Sequence, residues 1–237
     1  MMSGTSRAAL LLALASCQAT IDDPWLFFGQ GSNSVGLIVA LPDLRGSVDA
    51  TGVSGALDGL SASETVDATS EYDVGVNGQH FVTDHWALGG QINWARANLK
   101  GADLYDARVN PGNFATMRAA GMARYYFGGA TRYRPFLGGT LGWTPEVDVR
   151  FDVTYDTGEV EEVDFRGSSY WSTELLGGVA IQASDDVFFE LGASYEVPLD
   201  PTQDNVTLDS PTTGTSVVDT EIEIGGPRLF FVLAYSF

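Results

Sequence analysis

The chain has 237 residues, a formal net charge of −19 at pH 7, and 44% hydrophobic residues. The length suits one all-β domain, and the apolar fraction is too high for a disordered protein. So acidic a chain is a poor candidate for a nucleic-acid-binding protein, which needs a basic surface. After residue 20, no run approaches the roughly 18 consecutive apolar residues of a transmembrane helix.

Residues 1–19 have the pattern of a secretory signal peptide, in which a charged start precedes a short apolar run and small residues. Cleavage after Ala15 or after Ala19 satisfies the small-x-small rule. The sequence Leu-Ala-Ser-Cys at residues 14–17 resembles a bacterial lipobox, which makes Cys17 a candidate for lipidation. The alternative is ordinary cleavage, with Cys17 incidental or removed. The predicted structural domain therefore comprises residues 20–237.

Beyond this segment the sequence alternates with a period of two, which is the period of a β-strand. The alternation predicts eight strands, at about residues 30–42, 69–81, 86–98, 113–127, 135–155, 161–183, 187–199 and 217–237. Short turns alternate with long connections, which we place at residues 43–68, 100–112, 157–166 and 200–226. That alternation is typical of an outer-membrane barrel with short periplasmic turns. The predicted fold is all-β: an eight-stranded antiparallel up-and-down transmembrane β-barrel with extended extracellular hairpins.

The longest alternating run extends from Leu137 to Asp156, about twice the length needed to cross a membrane. Its odd positions are mostly apolar, so we predict one apolar face that continues past the lipid into an extracellular protrusion. The next strand has apolar residues at the odd positions Val163, Phe165, Trp171, Leu175, Val179 and Ile181. The two strands are expected to form a long hairpin with exposed edges that can recruit a partner strand.

The last nine residues, 229–237, are large and apolar or aromatic at every odd position. A strand that is apolar to its last residue fits a strand that faces lipid. We expect it to close the barrel by pairing with the first strand near residues 35–41.

Three segments resemble the small OmpA/OmpX-type outer-membrane β-barrel family: residues 72–90, residues 134–139 and the aromatic C-terminus. The resemblance implies a terminal signal that the barrel-assembly machinery recognises, and it maps onto Phe231, Leu233, Tyr235 and Phe237. It implies a bacterial outer-membrane location, with lipid and lipopolysaccharide as partners.

Polar residues on the face opposite the lipid are predicted to fill the lumen, since an eight-stranded barrel is narrow. They are Arg118, Arg124, Glu174, Glu190, Glu196, Asn77, Gln79, Gln91 and Asn93. Because unpaired buried charge is costly, the arginines and carboxylates should pair and form a structural plug. A gated conduit or a small-ligand site is the alternative.

Tryptophans 94, 143 and 171 fall on the apolar face, which is the arrangement of a membrane barrel and the inverse of a soluble one.

Nothing in the sequence supports an enzyme. The two histidines, His80 and His85, lie at the first periplasmic turn, and no nucleophile, phosphate-loop or zinc motif occurs. Eight acidic residues between 146 and 164 lack metal-binding spacing and predict a negatively charged surface. We expect no catalytic residue, cofactor or metal site.

The predicted function is a non-enzymatic, monomeric barrel with a closed lumen that acts in envelope structure or surface adhesion, with a possible extracellular protein partner at its protruding acidic strands. The alternative is a small-solute conducting or ligand-binding barrel, either a minor porin or a lipocalin-like protein.

Overall fold

The computed structural model describes residues 29–99, 101–104, 107–110, 112–129, 131–210 and 214–237. The predicted signal peptide, Cys17 and residues 25–28 lie outside the described residues, so lipidation stays a prediction. Residues 29–31 form a turn that leads into the first strand, and the Gly31 amide donates to the carbonyl of Phe81.

Strands account for almost all of the described chain. Their bounds are β1 Asn33–Ser54, β2 Ser61–Phe81, β3 Trp86–Leu99, β4 Ala102–Leu104, β5 Ala107–Asn110, β6 Asn113–Tyr126, β7 Tyr133–Thr144, β8 Val147–Tyr155, β9 Val160–Gly167, β10 Tyr170–Gln182, β11 Val187–Pro198, β12 Thr202–Ser210 and β13 Gly214–Ser236. One turn of 3₁₀-helix, Gly55–Leu57, lies between β1 and β2. No helix among these residues is long and apolar enough to cross a membrane.

Eight of the strands form a closed antiparallel ring, in the order β1, β2, β3, β6, β7, β10, β11 and β13. The ring closes where β13 pairs with β1, with Tyr235 opposite Val35 and Leu229 opposite Leu41. The predicted eight-stranded barrel and its closing pair are therefore confirmed. Short connections at residues 82–85 and 183–186, and the short connection between β6 and β7, gather at one end, which we call the turn side.

An apolar belt surrounds the turn-side part of the barrel. On β7 the belt extends from Tyr133 to Trp143, about 33 Å along the strand, and a tilt of about 40° reduces this to about 25 Å. That height matches the hydrocarbon band of outer-membrane barrels. Exposed aromatic residues border it on both sides. They are Tyr72, Trp94, Trp143, Trp171 and Tyr195 on the far side, and Trp86, Phe127, Tyr133, Tyr235 and Phe237 on the turn side.

Above the belt the chain builds a second layer of sheet, which we call the dome. It consists of β4, β5, β8, β9 and β12, with the outer halves of β1, β2 and β13. Its interior is a hydrophobic core formed by Leu44, Ala97, Phe114, Val147, Val149, Val153, Tyr155, Val163, Phe165, Tyr170, Val206 and Ile222. The prediction of long loops at residues 43–68 and 200–226 was therefore wrong, because most of these residues extend the sheet.

The continuous apolar face predicted for residues 137–155 was also wrong. Odd residues of β7 such as Leu141 and Trp143 point outward, whereas Val147 and Val149 on β8 point into the dome core. The face changes at Pro145–Glu146, two residues outside the strands that interrupt the alternation. The same change occurs at residues 168–169, between buried Phe165 on β9 and exposed Trp171 on β10.

The physical reason for both changes is the solvent outside the wall. Within the belt the outside is lipid, so apolar side chains face outward; in the dome the outside is water, so they face inward. The hairpin of β8 and β9 also offers fewer edges than expected. Strand β8 pairs with β9 on one side and with β5 and β6 on the other, so it is not an edge strand.

Candidate functional site: the filled lumen

The lumen contains two sets of paired charges, one nearer the dome and one nearer the turn side. The upper charge layer consists of Arg118, Arg228, Asp73, Glu174 and Glu196, each 9% exposed or less. These side chains come from β6, β13, β2, β10 and β11, so the layer links most of the ring. Each points inward because it lies on the face opposite the lipid-facing residues of its strand.

Arg118 and Arg228 hold the upper charge layer together. Arg118 Nε lies 2.8 Å from Ser172 Oγ and 3.1 Å from Glu196 Oε1, and its Nη2 donates to Thr140 Oγ1 at 2.8 Å. On the opposite wall, Arg228 Nη1 donates to Glu196 Oε2 at 2.9 Å, and its Nη2 pairs with Asp73. Glu196 therefore joins the two guanidinium groups across the lumen.

Amide and hydroxyl groups complete this layer. Asn93 donates to Asp73 at 3.1 Å, and Gln91 and Thr140 donate to Glu174 at 3.4 and 3.3 Å. Buried charges are tolerated when their remaining hydrogen-bonding capacity is used in this way. The arrangement therefore cross-links strands that are not neighbours in the ring.

The lower charge layer consists of Arg124, Glu190, Tyr126 and Gln79. Arg124 Nη1 lies 2.5 Å from Glu190 Oε2, and Tyr126 Oη donates to Glu190 Oε1 at 2.9 Å. Gln79 Nε2 donates to Tyr126 Oη at 3.1 Å. Apolar residues pack around this layer, among them Phe136, whose ring lies 5.1 Å below the Arg124 guanidinium.

Little space remains between the layers. A cavity of about 20 Å³ separates the lower layer from the upper one, and another of about 40 Å³ separates the upper layer from the dome core. Such volumes hold one or a few water molecules. Four buried oxygens at the cavities have no protein partner: Asn93 Oδ1, Thr116 Oγ1, Thr144 Oγ1 and Ser194 Oγ. Their polarity makes these cavities suitable for bound water.

All nine predicted lumen residues are buried, and eight of them belong to one charge layer or the other. The ninth, Asn77, is buried on β2 but belongs to neither layer. Sequence reasoning missed Arg228 and Asp73, which complete the upper layer. Both could have been found from the alternation already recognised, since each lies in step with predicted inward residues of its own strand. Arg134 was also missed; it is buried at the turn side and donates to the backbone carbonyl of Asp84 at 2.6 Å.

The histidines lie at the turn-side rim. His80 contacts Asn33 and His85 contacts the carbonyl of Tyr126, both through Nδ1. Within the described part of the chain, no three His, Cys, Asp or Glu side chains group as a metal site. The residues of the predicted assembly signal, Phe231, Leu233, Tyr235 and Phe237, face outward in the belt.

Comparisons with known proteins bear on this architecture. No family model matches the sequence, and no curated protein matches it. Among solved structures, the outer membrane protein OprG from Pseudomonas aeruginosa superposes with a TM-score of 0.61 at 13% identity, over 88% of this chain and 97% of OprG. The outer membrane protein AlkL, determined in lipid bilayers, gives 0.50 at 16% identity, over 88% of this chain and 91% of AlkL.

The chain has the fold of the small outer-membrane β-barrels. This agrees with the resemblance noted in the sequence. The fold and the apolar belt together identify an integral outer-membrane barrel. At such low identity the likeness extends to the fold alone, so the role of the lumen and dome must be argued from their own residues.

Proposed function

We propose that this protein is a non-enzymatic barrel with a closed lumen, which anchors the acidic dome at the cell surface. The observation that carries the proposal is the filling of the lumen. Among the described residues, two cross-linked charge layers cross the lumen, the cavities beside them measure about 20 and 40 Å³, and a hydrophobic core lies above them. A hydrated ion or small solute needs a continuous path, which such a filling interrupts.

Conductance in planar bilayers tests the closed lumen. The full chain, folded and inserted, is expected to give no steady conductance, while a general porin reconstituted in the same way provides the positive control. Heat-modifiable migration in gels establishes that the inserted protein is folded. Steady ohmic steps from the folded chain would contradict the closed lumen and favour the conducting barrel.

The outer face of the dome supports a role in surface interaction. Asp152 on β8 and Glu162 on β9 lie directly opposite each other, and both are exposed. Like charges opposite one another destabilise a ladder, so folding does not require this pair. The other two aspartates on this face, Asp148 and Asp164, lie opposite arginines, so the net negative charge of the hairpin comes from the Asp152–Glu162 pair. A surface of this kind attracts cationic partners and steers their approach.

Adhesion of cells that display the chain tests this second part. Wild-type cells should adhere to a positively charged surface more than cells without the chain, and added salt should weaken the adhesion. The double variant Asp152→Asn/Glu162→Gln should reduce it. Equal adhesion by wild-type and variant cells would leave the dome without a role as an electrostatic surface.

A further inference from the structure

The upper charge layer contains three carboxylates but only two guanidinium groups, all of them 9% exposed or less. The lower charge layer is balanced, because Arg124 pairs with Glu190. The one other buried arginine of the described residues, Arg134, lies six residues from Thr140 on β7, which is about 20 Å along the strand. Arg134 is therefore too far away to pair with the upper layer. That layer keeps a formal excess of one negative charge, which is costly to bury without compensation.

The distances identify Glu174 as the carboxylate that holds the excess charge. Its Oε2 lies 3.5 Å from Arg118 Nη1, and its Oε1 lies 3.9 Å from Arg228 Nη1. Glu196 lies closer to both arginines, at 3.1 Å from Arg118 and 2.9 Å from Arg228. Charge-assisted hydrogen bonds are about 2.7–2.9 Å long. Because Asp73 also pairs with Arg228, the two guanidinium groups are matched by Asp73 and Glu196.

Glu174 lines the cavity of about 20 Å³ between the two charge layers. Two buried oxygens at the same cavity have no protein partner, Asn93 Oδ1 and Ser194 Oγ. Asn93 on β3 and Ser194 on β11 are 4% and 7% exposed, so bulk water does not satisfy these oxygens. A cavity of this size holds one water molecule or one ion of similar size.

We propose that this cavity binds one sodium ion, which supplies the positive charge that the upper layer lacks. Glu174 provides a charged oxygen ligand, and Asn93 Oδ1 and Ser194 Oγ provide neutral ones. Carboxylate, carbonyl and hydroxyl oxygens suit hard cations. An excess of one charge favours a monovalent ion, and the small volume favours sodium over the larger potassium ion. A water molecule would satisfy the same oxygens but would leave the charge unbalanced. The proposal goes beyond the proposed function, because it concerns what the closed lumen contains.

The arginines beside the cavity are compatible with a bound cation. Arg124 and Arg228 both line the cavity. Arg124 Nη1 lies 2.5 Å from Glu190 Oε2, and Arg228 pairs with Asp73 and Glu196. A cation in the cavity therefore meets ion pairs that are already neutral, together with the additional carboxylate of Glu174. Because the lumen is closed, we expect the ion to enter as the barrel folds.

The sodium dependence of the folding equilibrium tests the proposal. The full chain, folded in phosphatidylcholine vesicles, is unfolded with urea at a series of sodium chloride concentrations, and choline chloride keeps the ionic strength constant. A ligand that binds only the folded chain stabilises it in proportion to the logarithm of the ligand concentration. For one bound ion, the equilibrium constant of unfolding should fall about tenfold for each tenfold increase in sodium above its Kd.

Three variants locate the effect. Glu174→Gln should abolish the sodium dependence, because the amide keeps the shape of the side chain and removes the excess charge. Ser194→Ala removes one neutral ligand and should shift the dependence to about tenfold higher sodium concentrations. Thr116→Val is the matched control, because the Thr116 hydroxyl also lacks a partner but lines the other cavity, of about 40 Å³. It should keep the wild-type dependence, and heat-modifiable migration verifies that each variant is folded.

Stability of the wild-type chain that does not change with sodium would overturn the proposal and would leave a proton or a water molecule as the occupant. The wild-type dependence in Glu174→Gln would also overturn it, since the effect would then come from carboxylates elsewhere. Unchanged dependence in Ser194→Ala, or its loss in Thr116→Val, would contradict the assigned cavity. Because none of these results involves conductance, failure here is separate from failure of the closed lumen.

Discussion

The belt region and the dome use opposite rules within one continuous sheet. In the belt region, Leu141 faces outward and Arg124 faces inward; in the dome, Asp148 faces outward and Phe165 faces inward. Strand geometry is the same in both, because side chains alternate across the sheet in each. The difference shows that the surroundings of the wall decide which face is apolar, and that the chain changes faces where those surroundings change.

Buried side chains are stabilised by different interactions in the belt region and in the dome. Inside the belt region, the interior depends on matched charges, and removal of one partner leaves the other charge uncompensated. Inside the dome, the interior depends on apolar packing, and removal of a side chain leaves a cavity. Truncation of a buried residue should therefore destabilise the two regions for different reasons. In the belt region, stability should be restored by removing the uncompensated charge; in the dome, it should be restored by filling the cavity.

The largest effect is expected from Arg124→Met, which leaves Glu190 buried without its partner. The free energy of unfolding should fall by about 4 kcal/mol, measured by urea titration of the folded form in vesicles. Addition of Glu190→Leu should restore much of it, because the uncompensated charge is then gone. Arg150→Met on the dome surface, whose partner Asp164 is half exposed, should cost less than about 1 kcal/mol. A double variant no more stable than Arg124→Met would contradict the pairing.

A somewhat smaller loss is expected in the dome from Phe165→Ala, which empties part of its core. We expect about 3 kcal/mol and a dome that proteases cleave more readily on intact cells. The barrel should keep its heat-modifiable migration, because its own interior is unchanged. As a control, Leu141→Ala removes an outward residue of the belt and opens no cavity in either interior. Loss of barrel folding in Phe165→Ala would show that the barrel and the dome do not unfold independently.

Outward positions provide a third test. Leu175 faces lipid and is 65% exposed, so Leu175→Arg should cost about 2 to 3 kcal/mol. The same change at Thr207, an exposed residue on β12 of the dome, should cost less than about 0.5 kcal/mol. The difference should appear in urea titrations of the two variants. Equal costs at the two positions would mean that they meet the same solvent.

The smallest of these effects concerns the fit of Arg118 in the upper charge layer. A methyl group at Gly142 would overlap with the Arg118 guanidinium, so Gly142→Ala should cost about 1 to 2 kcal/mol. Gly121 on β6 has open space where its methyl group would lie, which makes Gly121→Ala the matched control. Similar stability of the two variants, measured in the same titration, would argue against a closely packed layer.

The sequence predicted the ring of eight strands because period-two alternation marks each strand and most lipid-facing residues are apolar. It predicted the closing pair of β13 with β1 for the same reason. A protrusion past the lipid was predicted, but its second layer of sheet and its inward-facing apolar core were missed. Alternation identifies the residues that share a face but not the solvent that the face meets. The odd residues from Leu137 to Tyr155 read as one apolar face, although Pro145 and Glu146 divide it between lipid and the dome core.

The lumen shows a similar division. Inward positions such as Glu190 could be assigned from the alternation along each strand. Arg228 could have been assigned in the same way, by extending the alternation of residues 229–237 back by one residue. The partners themselves could not be assigned. Which carboxylate meets Arg118 or Arg228 depends on how strands from distant parts of the chain are staggered around the ring, and the stagger is a property of the closed barrel.

The most direct test of the change of faces is the accessibility of spin labels placed one at a time at positions 137–155, with Cys17 replaced by Ser. Oxygen dissolves in lipid and a nickel chelate stays in water, so these two paramagnetic relaxation agents distinguish lipid from water. Odd positions from 137 to 143 should be accessible to oxygen, and odd positions from 147 to 155 should be protected from both agents. Even positions from 148 to 154 should be accessible to the chelate. Oxygen accessibility at every odd position through 155 would contradict the account.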